Sequence, residues 1–250
     1  MKLSNVRVVL VETTHPGNIG AAARAMKNMG LERLCLVNPA RFPHADATAR
    51  ASGADDLLAK AEVYGRLEEA LVGCRLVFGT SARLRTIRWP QVNPREAAEK
   101  LFILDDLSEA AFVFGREHAG LTNEELERCH YLLHIPANPA YSSLNLAAAV
   151  QVVTYELRMM ALEGAEGGEK RTSQGEHPPA TADELEDFYR HLEQAMMDIG
   201  FLDPSNPRQL MRRLRRLFNR AHPDRMEINI LRGILSAAQK VRKPHSRENP

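Results

Sequence analysis

Short hydrophobic runs alternate with helical segments along the first 162 residues of the chain. Residues 6–11 form a near-continuous β-branched run, as in a strand buried on both faces of a parallel sheet. A helical pattern follows over residues 18–29 and ends at Gly30. The other predicted strands cover residues 34–37, 76–78, 112–114 and 131–135, and the other predicted helices cover 67–71, a segment opened by Pro94, 123–129 and 144–162. This alternation predicts an α/β domain in which helices flank a parallel sheet.

The composition of the chain limits its class and its partners. The 250 residues are 44% hydrophobic with a formal net charge of +1, so affinity for nucleic acid must come from local basic patches. Cys35, Cys74 and Cys129 lie far apart in or beside apolar runs, which predicts buried thiols in a reducing compartment and no metal site. No run approaches the roughly 20 apolar residues that span a bilayer, and the first hydrophobic run is too short for a signal peptide. We therefore expect a cytoplasmic protein without a membrane segment.

A change of composition after residue 162 marks a domain boundary. Residues 163–179 contain six glycines and prolines among charged residues, which is typical of a mobile linker. Beyond it, apolar residues recur at helical spacing in three segments, the first opened by a capping box at Thr181 and Glu184 and the third by Asp224. The apolar positions are Leu185, Phe188, Leu192, Met196, Ile199, Leu210, Leu214, Leu217, Phe218, Ile230, Leu231, Ile234, Leu235 and Ala238. We assign residues 1–162 to the α/β domain, 163–180 to the linker and 181–250 to a small all-α domain.

Three turn segments rich in glycine, proline and asparagine follow predicted strands. Residues 14–20 provide a turn and Asn18 as a helix cap, and the helix after them presents Arg24. Residues 115–122 place the carboxylate of Glu117 between two glycines, and residues 136–145 carry hydroxyls and an amide just before a helix. Each loop alone is also typical of an ordinary capped helix. Because open α/β sheets bind ligands beyond the carboxyl ends of their strands, the three together predict one pocket built largely from backbone groups.

Basic residues cluster in two further segments. The loop after the strand near residue 78 carries Arg83, Arg85 and Arg88, which suit a phosphate-bearing substrate because a guanidinium group pairs with phosphate oxygens through two hydrogen bonds. Residues 208–220 contain no acidic residue, and their arginines are Arg208, Arg212, Arg213, Arg215, Arg216 and Arg220. We expect one face of this helix to pack through leucines and the other to bind RNA phosphates. A merely solvated basic surface is the alternative for both segments.

The motifs in the three turn segments resemble those of a known enzyme family. The strings HPGNIG at 15–20 with Arg24, FGRE at 114–117 with GLT at 120–122, and SSLNL at 142–146 resemble the signature motifs of the SPOUT-class, SpoU-type RNA 2′-O-methyltransferases. The resemblance implies a deep trefoil knot at the end of the α/β domain, S-adenosylmethionine as cofactor, tRNA as substrate and a homodimer with an active site shared across its interface. It extends to the arginine-rich tail, as in enzymes that methylate the ribose of cytidine or uridine at position 32 of the tRNA anticodon loop.

The same resemblance implies roles for individual residues. The implied cofactor contacts are Thr80, Ser81, Ala82, Gly115, Ile135, Ser142, Ser143 and Leu144. The implied catalytic residues are Arg24, Asn18, Glu117, Asn145 and Ser143. A guanidinium group keeps its proton up to about pH 12, so we expect Arg24 to bind the adjacent phosphate and stabilise developing alkoxide charge rather than to act as a base.

Two other functions fit the same residues. One is methylation of ribosomal RNA by an enzyme of the same class. The other is a non-catalytic RNA-binding or assembly factor that keeps the fold without turnover. The presence of Arg24, Glu117 and Asn145 favours an enzyme over the second alternative.

Overall fold

The computed structural model of the chain describes residues 2–82, 89–165, 178–205 and 209–242. The chain divides into two compact units, Met1–Gln174 and Gly175–Pro250. The first is the α/β unit, and the elements described in the second are all helices, which confirms the predicted α/β class with a helical C-terminal region.

The first unit is built on a seven-stranded sheet in which every strand pair is parallel. Its strands are β1 (Val6–Val11), β2 (Arg33–Val37), β3 (Glu62–Tyr64), β4 (Cys74–Thr80), β5 (Gln91–Val92), β6 (Glu109–Phe114) and β7 (Tyr131–Leu133). They are arranged in the order β3-β2-β1-β6-β4-β7-β5. All six residues of β1 are buried, as expected for a strand covered on both faces.

Seven helices described in this unit connect and cover the strands. They are α1 (Pro16–Met29), α2 (Ala45–Ala51), α3 (Asp55–Ala59), α4 (Leu67–Leu71), α5 (Pro94–Phe102), α6 (Asn123–Leu126) and α7 (Leu146–Ala165). The sequence did not predict α2, α3, β3 or β5, because none of them is long enough to show a clear hydrophobic period. The strand expected at 131–135 and the helix expected at 123–129 are shorter than predicted, and α7 continues through Ala165 into the range assigned to the linker.

The packing of α1 fixes the loop before it. On one side, α1 lies against α2 so closely that a Cβ on Gly20 would be 1.9 Å from the carbonyl oxygen of Ala47. On another side, α1 contacts α7, with Asn18 near Asn145 at one end and Gly30 near Arg158 at the other. The partners are 127 positions apart at the first contact and 128 at the second, so α1 and α7 run in the same direction. Their amino ends therefore lie close together.

The second unit consists of α8 (Ala182–Asp198), α9 (Leu210–Ala221) and α10 (Arg225–Arg242). The predicted capping boxes are present at Thr181 and at Asp224. The core is formed by Phe188, Tyr189, Leu192 and neighbouring apolar residues, with Phe218 edge-on to Phe188 at 4.8 Å between ring centroids.

Four of the predicted core positions in this unit are wrong. Ile199, Leu217, Ile230 and Ile234 are 40%, 45%, 57% and 59% exposed. On α10 the core is closed by Ile228, Leu231 and Leu235 instead. An apolar stripe on a helix can be wider than the face that its neighbours cover, and only the packing decides which part is buried.

Candidate functional site

The loops that carry the three motifs lie at one edge of the sheet. β1, β6, β4 and β7 are adjacent and parallel, so the segments that follow them all leave at the carboxyl ends of the strands. A cavity of about 240 Å³ opens there. It is lined by Thr80, Ser81, Ala82, Phe114, Gly115, Arg116, Glu117, His118, Ala119, Gly120, Leu133, Ile135, Ser142, Ser143, Leu144, Leu146 and Ala149.

Close backbone packing holds the wall of the cavity at Gly115. A Cβ on this residue would lie 2.2 Å from the carbonyl carbon of Gly120, so only glycine fits the turn. The turn is closed by the amide of Gly120, which donates to the carbonyl of Arg116 at 2.9 Å. On the β4 side, the amide of Ser81 donates to the carbonyl of Leu133 at 3.0 Å. The strand ends are thus tied to each other rather than left as free loops.

Arg116 fixes the second loop through two carboxylates. Its guanidinium donates to both oxygens of Glu125 at 3.0 Å and, through Nε, to Glu12 at 2.8 Å. The hydrogen bond from Arg116 lowers the pKa of the Glu12 carboxyl, and the two carboxylates raise the pKa of Arg116 itself. Because its charge is matched on both sides, Arg116 acts as a brace for the loop.

Glu117 is the centre of a hydrogen-bond network that joins the second loop to the first. Its Oε2 accepts from the amide of Thr14 at 3.1 Å and from its Oγ1 at 3.0 Å. Its Oε1 accepts from the amide of His15 at 3.2 Å and from Nδ2 of Asn18 at 3.0 Å. Partial burial opposes the charge, but hydrogen bonds from Asn18 and the backbone outweigh it and lower the pKa of Glu117 to about 2.

Asn18 links Glu117 to the third motif. Nδ2 of Asn145 donates to Oδ1 of Asn18 at 3.1 Å, while Oδ1 of Asn145 accepts from the amide of Ala147 at 2.9 Å at the start of α7. The prediction that Asn18 caps α1 is wrong: the helix begins at Pro16, and His15 is in the cap position. Proline fits the first helical position without a capping side chain, which leaves the Asn18 amide free to bridge the loops.

The structure brings the predicted cofactor residues together, because all eight of them line the cavity. Of the residues implied as catalytic, Glu117 and Ser143 line the cavity. Asn18 is hydrogen-bonded to Glu117, and Asn145 is hydrogen-bonded to Asn18. Arg24 is not among the lining residues and is exposed on α1. Arg83, Arg85, Arg88 and Arg208 lie outside the described residues.

Sequence reasoning missed the bracing residues of the site. Glu12 and Glu125 belong to no quoted motif, yet both hold Arg116. A signal for Glu12 is visible only in the backbone, where its φ of 48° marks a sharp turn directly after β1. The ion pair between Arg116 and Glu12 joins residues 104 positions apart and leaves no local pattern in the sequence, whereas Glu125 lies nine positions from Arg116.

The arginine-rich helix α9 differs from the prediction at Arg215. Its guanidinium forms a two-fold hydrogen-bonded ion pair with Glu186 of α8, at 2.6 and 2.7 Å, and lies 4.5 Å from the centroid of the Tyr189 ring. With only 13% of its side chain exposed, Arg215 stabilises the helical unit and is not on an open surface. Residues 208–220 contain no acidic residue, which suggested that their arginines have no acidic partner. The partner of Arg215 is Glu186, which lies on another helix. Arg213 and Arg220 are exposed, and Arg212 and Arg216 are partly exposed.

The burial of the three cysteines agrees with the expectation from the sequence. Cys35, Cys74 and Cys129 are buried and form no disulfide bond with one another, and burial raises the pKa of the Cys35 thiol to about 11 and that of Cys129 to about 12. Within the described ranges, His, Cys, Asp and Glu form no group that could hold a metal ion. Over the same ranges, no helix has both the length and the apolarity needed to cross a membrane.

Comparison with known proteins agrees with this geometry. The profile of the SpoU rRNA Methylase family matches residues 5–155, which include the whole sheet and all three motif loops. The chain belongs to the SpoU family. The profile of the C-terminal domain of the tRNA methyltransferase TrmJ matches residues 183–248, which is most of the helical unit.

Several SpoU relatives are similar over nearly their full length. The chain is 58% identical to the tRNA (cytidine/uridine/adenosine-2′-O-)-methyltransferase TrmJ of Pseudomonas aeruginosa, over 96% of this chain and 95% of that protein. It is 52% identical to the tRNA (cytidine/uridine-2′-O-)-methyltransferase TrmJ of Escherichia coli K12, over 98% of this chain and 100% of that protein. The crystal structure of TrmJ from Z. mobilis superposes with a TM-score of 0.80 at 35% identity, covering 92% and 97% of the two chains.

Proposed function

We propose that the chain transfers a methyl group from S-adenosylmethionine to the ribose 2′-hydroxyl of cytidine or uridine in tRNA, at position 32 of the anticodon loop. The observation that carries the proposal is the network from Glu117 through Asn18 to Asn145, which ties all three motif loops around one cavity. The names of the TrmJ relatives support the reaction and the tRNA substrate.

The lining of the cavity fits the proposed cofactor in chemistry. Its lining is apolar at Leu133, Ile135 and Leu146, and it includes the turns at Ser81 and Gly115. Most ligand pockets combine an apolar lining with a few fixed polar groups, as here. The residues that would hold S-adenosylmethionine are Thr80, Ser81, Ala82, Gly115, Ile135, Ser142, Ser143 and Leu144. When bound, it would supply a methyl group on a sulfonium, whose sulfur is a good leaving group because it departs as a neutral thioether.

The protein's own contribution is to align the attacking hydroxyl and to stabilise the negative charge that develops on it. In the proposal this is the role of Arg24, which binds the phosphate next to the target ribose and holds a fixed positive charge beside the 2′-oxygen. Glu117 does not take the proton, because its pKa of about 2 makes it a poor base and its oxygens already accept four hydrogen bonds. A phosphate oxygen of the RNA or a water molecule accepts the proton instead.

The proposal includes a homodimer in which Arg24 of one copy serves the cavity of the other. Two observations support it. Arg24 lies outside the cavity of its own chain. In addition, α7 carries an exposed apolar stripe at the spacing of a helix–helix seam, with Val152, Tyr155 and Leu162 exposed by 37%, 47% and 42%.

Further parts of the proposal concern topology and location. Both β4 and β5 precede β7 in the sequence but lie on either side of it in the sheet. This strand order supports a trefoil knot formed by the last strand and helix of the α/β unit, β7 and α7. Three buried cysteines that form no disulfide bond with one another support a reducing, cytoplasmic location.

The decisive experiment offers labelled S-adenosylmethionine with a bulk tRNA pool, and with ribosomal RNA in parallel, and maps the methylated riboses. We expect methylation in the tRNA anticodon loop and none in ribosomal RNA. Arg24→Ala should reduce the rate at least about 1,000-fold, since it removes the charge that stabilises the transition state, and should leave cofactor affinity within about twofold. Cofactor binding by calorimetry is the control, and a variant that loses cofactor binding instead would contradict the role of Arg24.

The shared site can be tested in the same assay with a second inactive variant. Gly115→Ala forces a Cβ against Gly120 and should damage the cavity but not Arg24. Co-expression of the Arg24→Ala and Gly115→Ala chains should restore part of the activity, because mixed dimers contain one intact composite site. If mixed dimers form and stay inactive, each cavity uses its own Arg24.

A further inference from the structure

Arg50 at the end of α2 is a charged side chain without an internal partner. Six arginines of the same unit form ion pairs with carboxylates: Arg7, Arg33, Arg66, Arg95, Arg116 and Arg128. Among the residues that the structure describes, Arg50 has no ion pair and no hydrogen bond from its side chain, and it is exposed. Its charge is therefore available to a ligand.

The stem of the Arg50 side chain lies beside the first motif loop. Asp46 stands four residues earlier on α2, a spacing at which an ion pair could form, but Asp46 lies 3.6 Å from Nδ1 of His44 instead. The Cγ of Arg50 is 3.4 Å from the point where a Cβ on Gly17 would be. The absence of a side chain at Gly17 thus gives the stem of Arg50 a place over the amino end of α1.

The position of Arg50 relative to α1 is fixed by backbone contact. Gly20 brings α1 so near α2 that a Cβ there would meet the backbone at Ala47 and Ala51, at 1.9 and 2.9 Å. Two helices in such contact cannot slide past each other without strain. Arg50 is therefore held beside the motif loop by the fold itself.

Arg24 lies on the same flank of α1 as Gly17. The two residues are seven positions apart, which is about two turns and about 10 Å along the helix. The stem of Arg50 over Gly17 and the exposed side chain of Arg24 thus form a row along one side of α1. Single-stranded RNA carries one phosphate per nucleotide, so a strand lying along this flank would present several phosphates to the two guanidinium groups.

We infer that Arg50 binds a phosphate of the substrate RNA close to the one bound by Arg24 and so aligns the strand at the site. The inference rests on the proposed function, and it adds Arg50 to the RNA-binding arginines expected from the loop after β4 and from α9. Arg50 is a binding residue, so its removal affects the KM for tRNA and leaves kcat nearly unchanged. The competing explanation is that a basic residue in the last turn of α2 only stabilises that helix.

The test compares two substitutions that separate charge from packing. Arg50→Met keeps an apolar stem over Gly17 and removes the charge, and Arg50→Lys keeps the charge. We expect Arg50→Met to raise the KM for tRNA about tenfold, as for removal of one charge-assisted hydrogen bond, and Arg50→Lys to recover most of the affinity. The slope of log affinity against log salt should fall by about 0.7 to 0.9 in Arg50→Met, the value for one phosphate.

Lys60→Ala provides the matched control. Lys60 is an exposed cation that precedes β3, at the amino ends of the strands and so away from the motif loops. The Lys60→Ala variant should have the wild-type KM for tRNA and the wild-type slope of log affinity against log salt. A wild-type KM and slope in Arg50→Met would overturn the inference, as would a loss of thermal stability with unchanged tRNA affinity. The wild-type protein is assayed first. If it fails to methylate tRNA, the proposed function itself is wrong.

Discussion

Glu117 accepts four hydrogen bonds from the first motif loop, and this decides its role at the scale of the residue. The sequence predicted a carboxylate in the pocket, and the structure contains one there. The sequence could not show that both oxygens of this carboxylate accept hydrogen bonds from Thr14, His15 and Asn18, because these residues lie about a hundred positions away. Glu117 is thus a positioning residue for the loop that leads to Arg24.

Glu117→Gln should therefore impair both stability and activity. One carboxylate oxygen becomes an NH₂ group that faces amide donors, which should cost about 1–3 kcal/mol in the free energy of unfolding and about 10- to 100-fold in kcat. Denaturant unfolding and labelled-methyl transfer measure the two effects. Glu32→Gln, an exposed carboxylate of the same unit, is the control. A fully active Glu117→Gln enzyme would show that the network does not align the site.

The pKa of Glu117 gives this comparison a pH dependence. Folding lowers the pKa from 4.5 to about 2, so the charged carboxylate stabilises the folded state above about pH 4.5. That stabilisation is lost as the pH falls toward 2, where the folded-state carboxyl also takes up a proton. The difference in unfolding free energy between wild type and Glu117→Gln should accordingly shrink over this range.

At the scale of the element, helices are placed by contacts that their own sequences barely reveal. The alanine-rich pattern predicted α1, but its start at Pro16 and its close approach to α2 depend on the fold. In α9 the arginines predicted a basic helix, yet Arg215 is drawn inward by Glu186 and Tyr189. Amphipathic periodicity shows that a helix has a buried face, whereas neighbouring helices decide which charged residue joins it.

Gly20→Ala should test the contact between α1 and α2. The added Cβ would lie 1.9 Å from a backbone oxygen, which cannot rotate away, so the helices must separate at a cost of about 1–3 kcal/mol. Thermal unfolding measures this destabilisation. Gly164→Ala on α7 has no neighbour within 4 Å and should be neutral or slightly stabilising, as expected for alanine in a helix. Equal stability of the two variants would mean that α1 and α2 are not in close contact.

At the scale of the whole molecule, the chain separates a cavity-bearing unit from a helical unit whose arginines cluster on α9. The near-zero net charge hides this cluster, because acidic residues elsewhere in the sequence balance it. In the proposed function the first unit performs the transfer and the second adds arginines that bind phosphates and hold the tRNA.

The triple variant Arg213→Gln, Arg216→Gln and Arg220→Gln should weaken tRNA binding while leaving cofactor affinity unchanged. Its salt slope should fall by up to about 2 to 3, because each arginine that no longer neutralises a phosphate lowers the slope by about one. Filter binding over a range of salt concentrations measures both the affinity and the slope. Arg215→Gln is the contrasting variant, because it should lower thermal stability rather than flatten the slope. Unchanged affinity in the triple variant would exclude this face of α9 from the RNA interface.

The sequence by itself determined the parallel α/β class, the helical C-terminal unit and the three motif loops, because hydrophobic periodicity and turn chemistry are local properties that adjacent residues reveal. Only the tertiary structure decided that Asn18 bridges Glu117 and Asn145, that Arg116 pairs with Glu12, and that Arg50 lies over Gly17. Each of these depends on residues distant in the chain that meet when strands align at one edge of the sheet, and no local pattern encodes such a meeting.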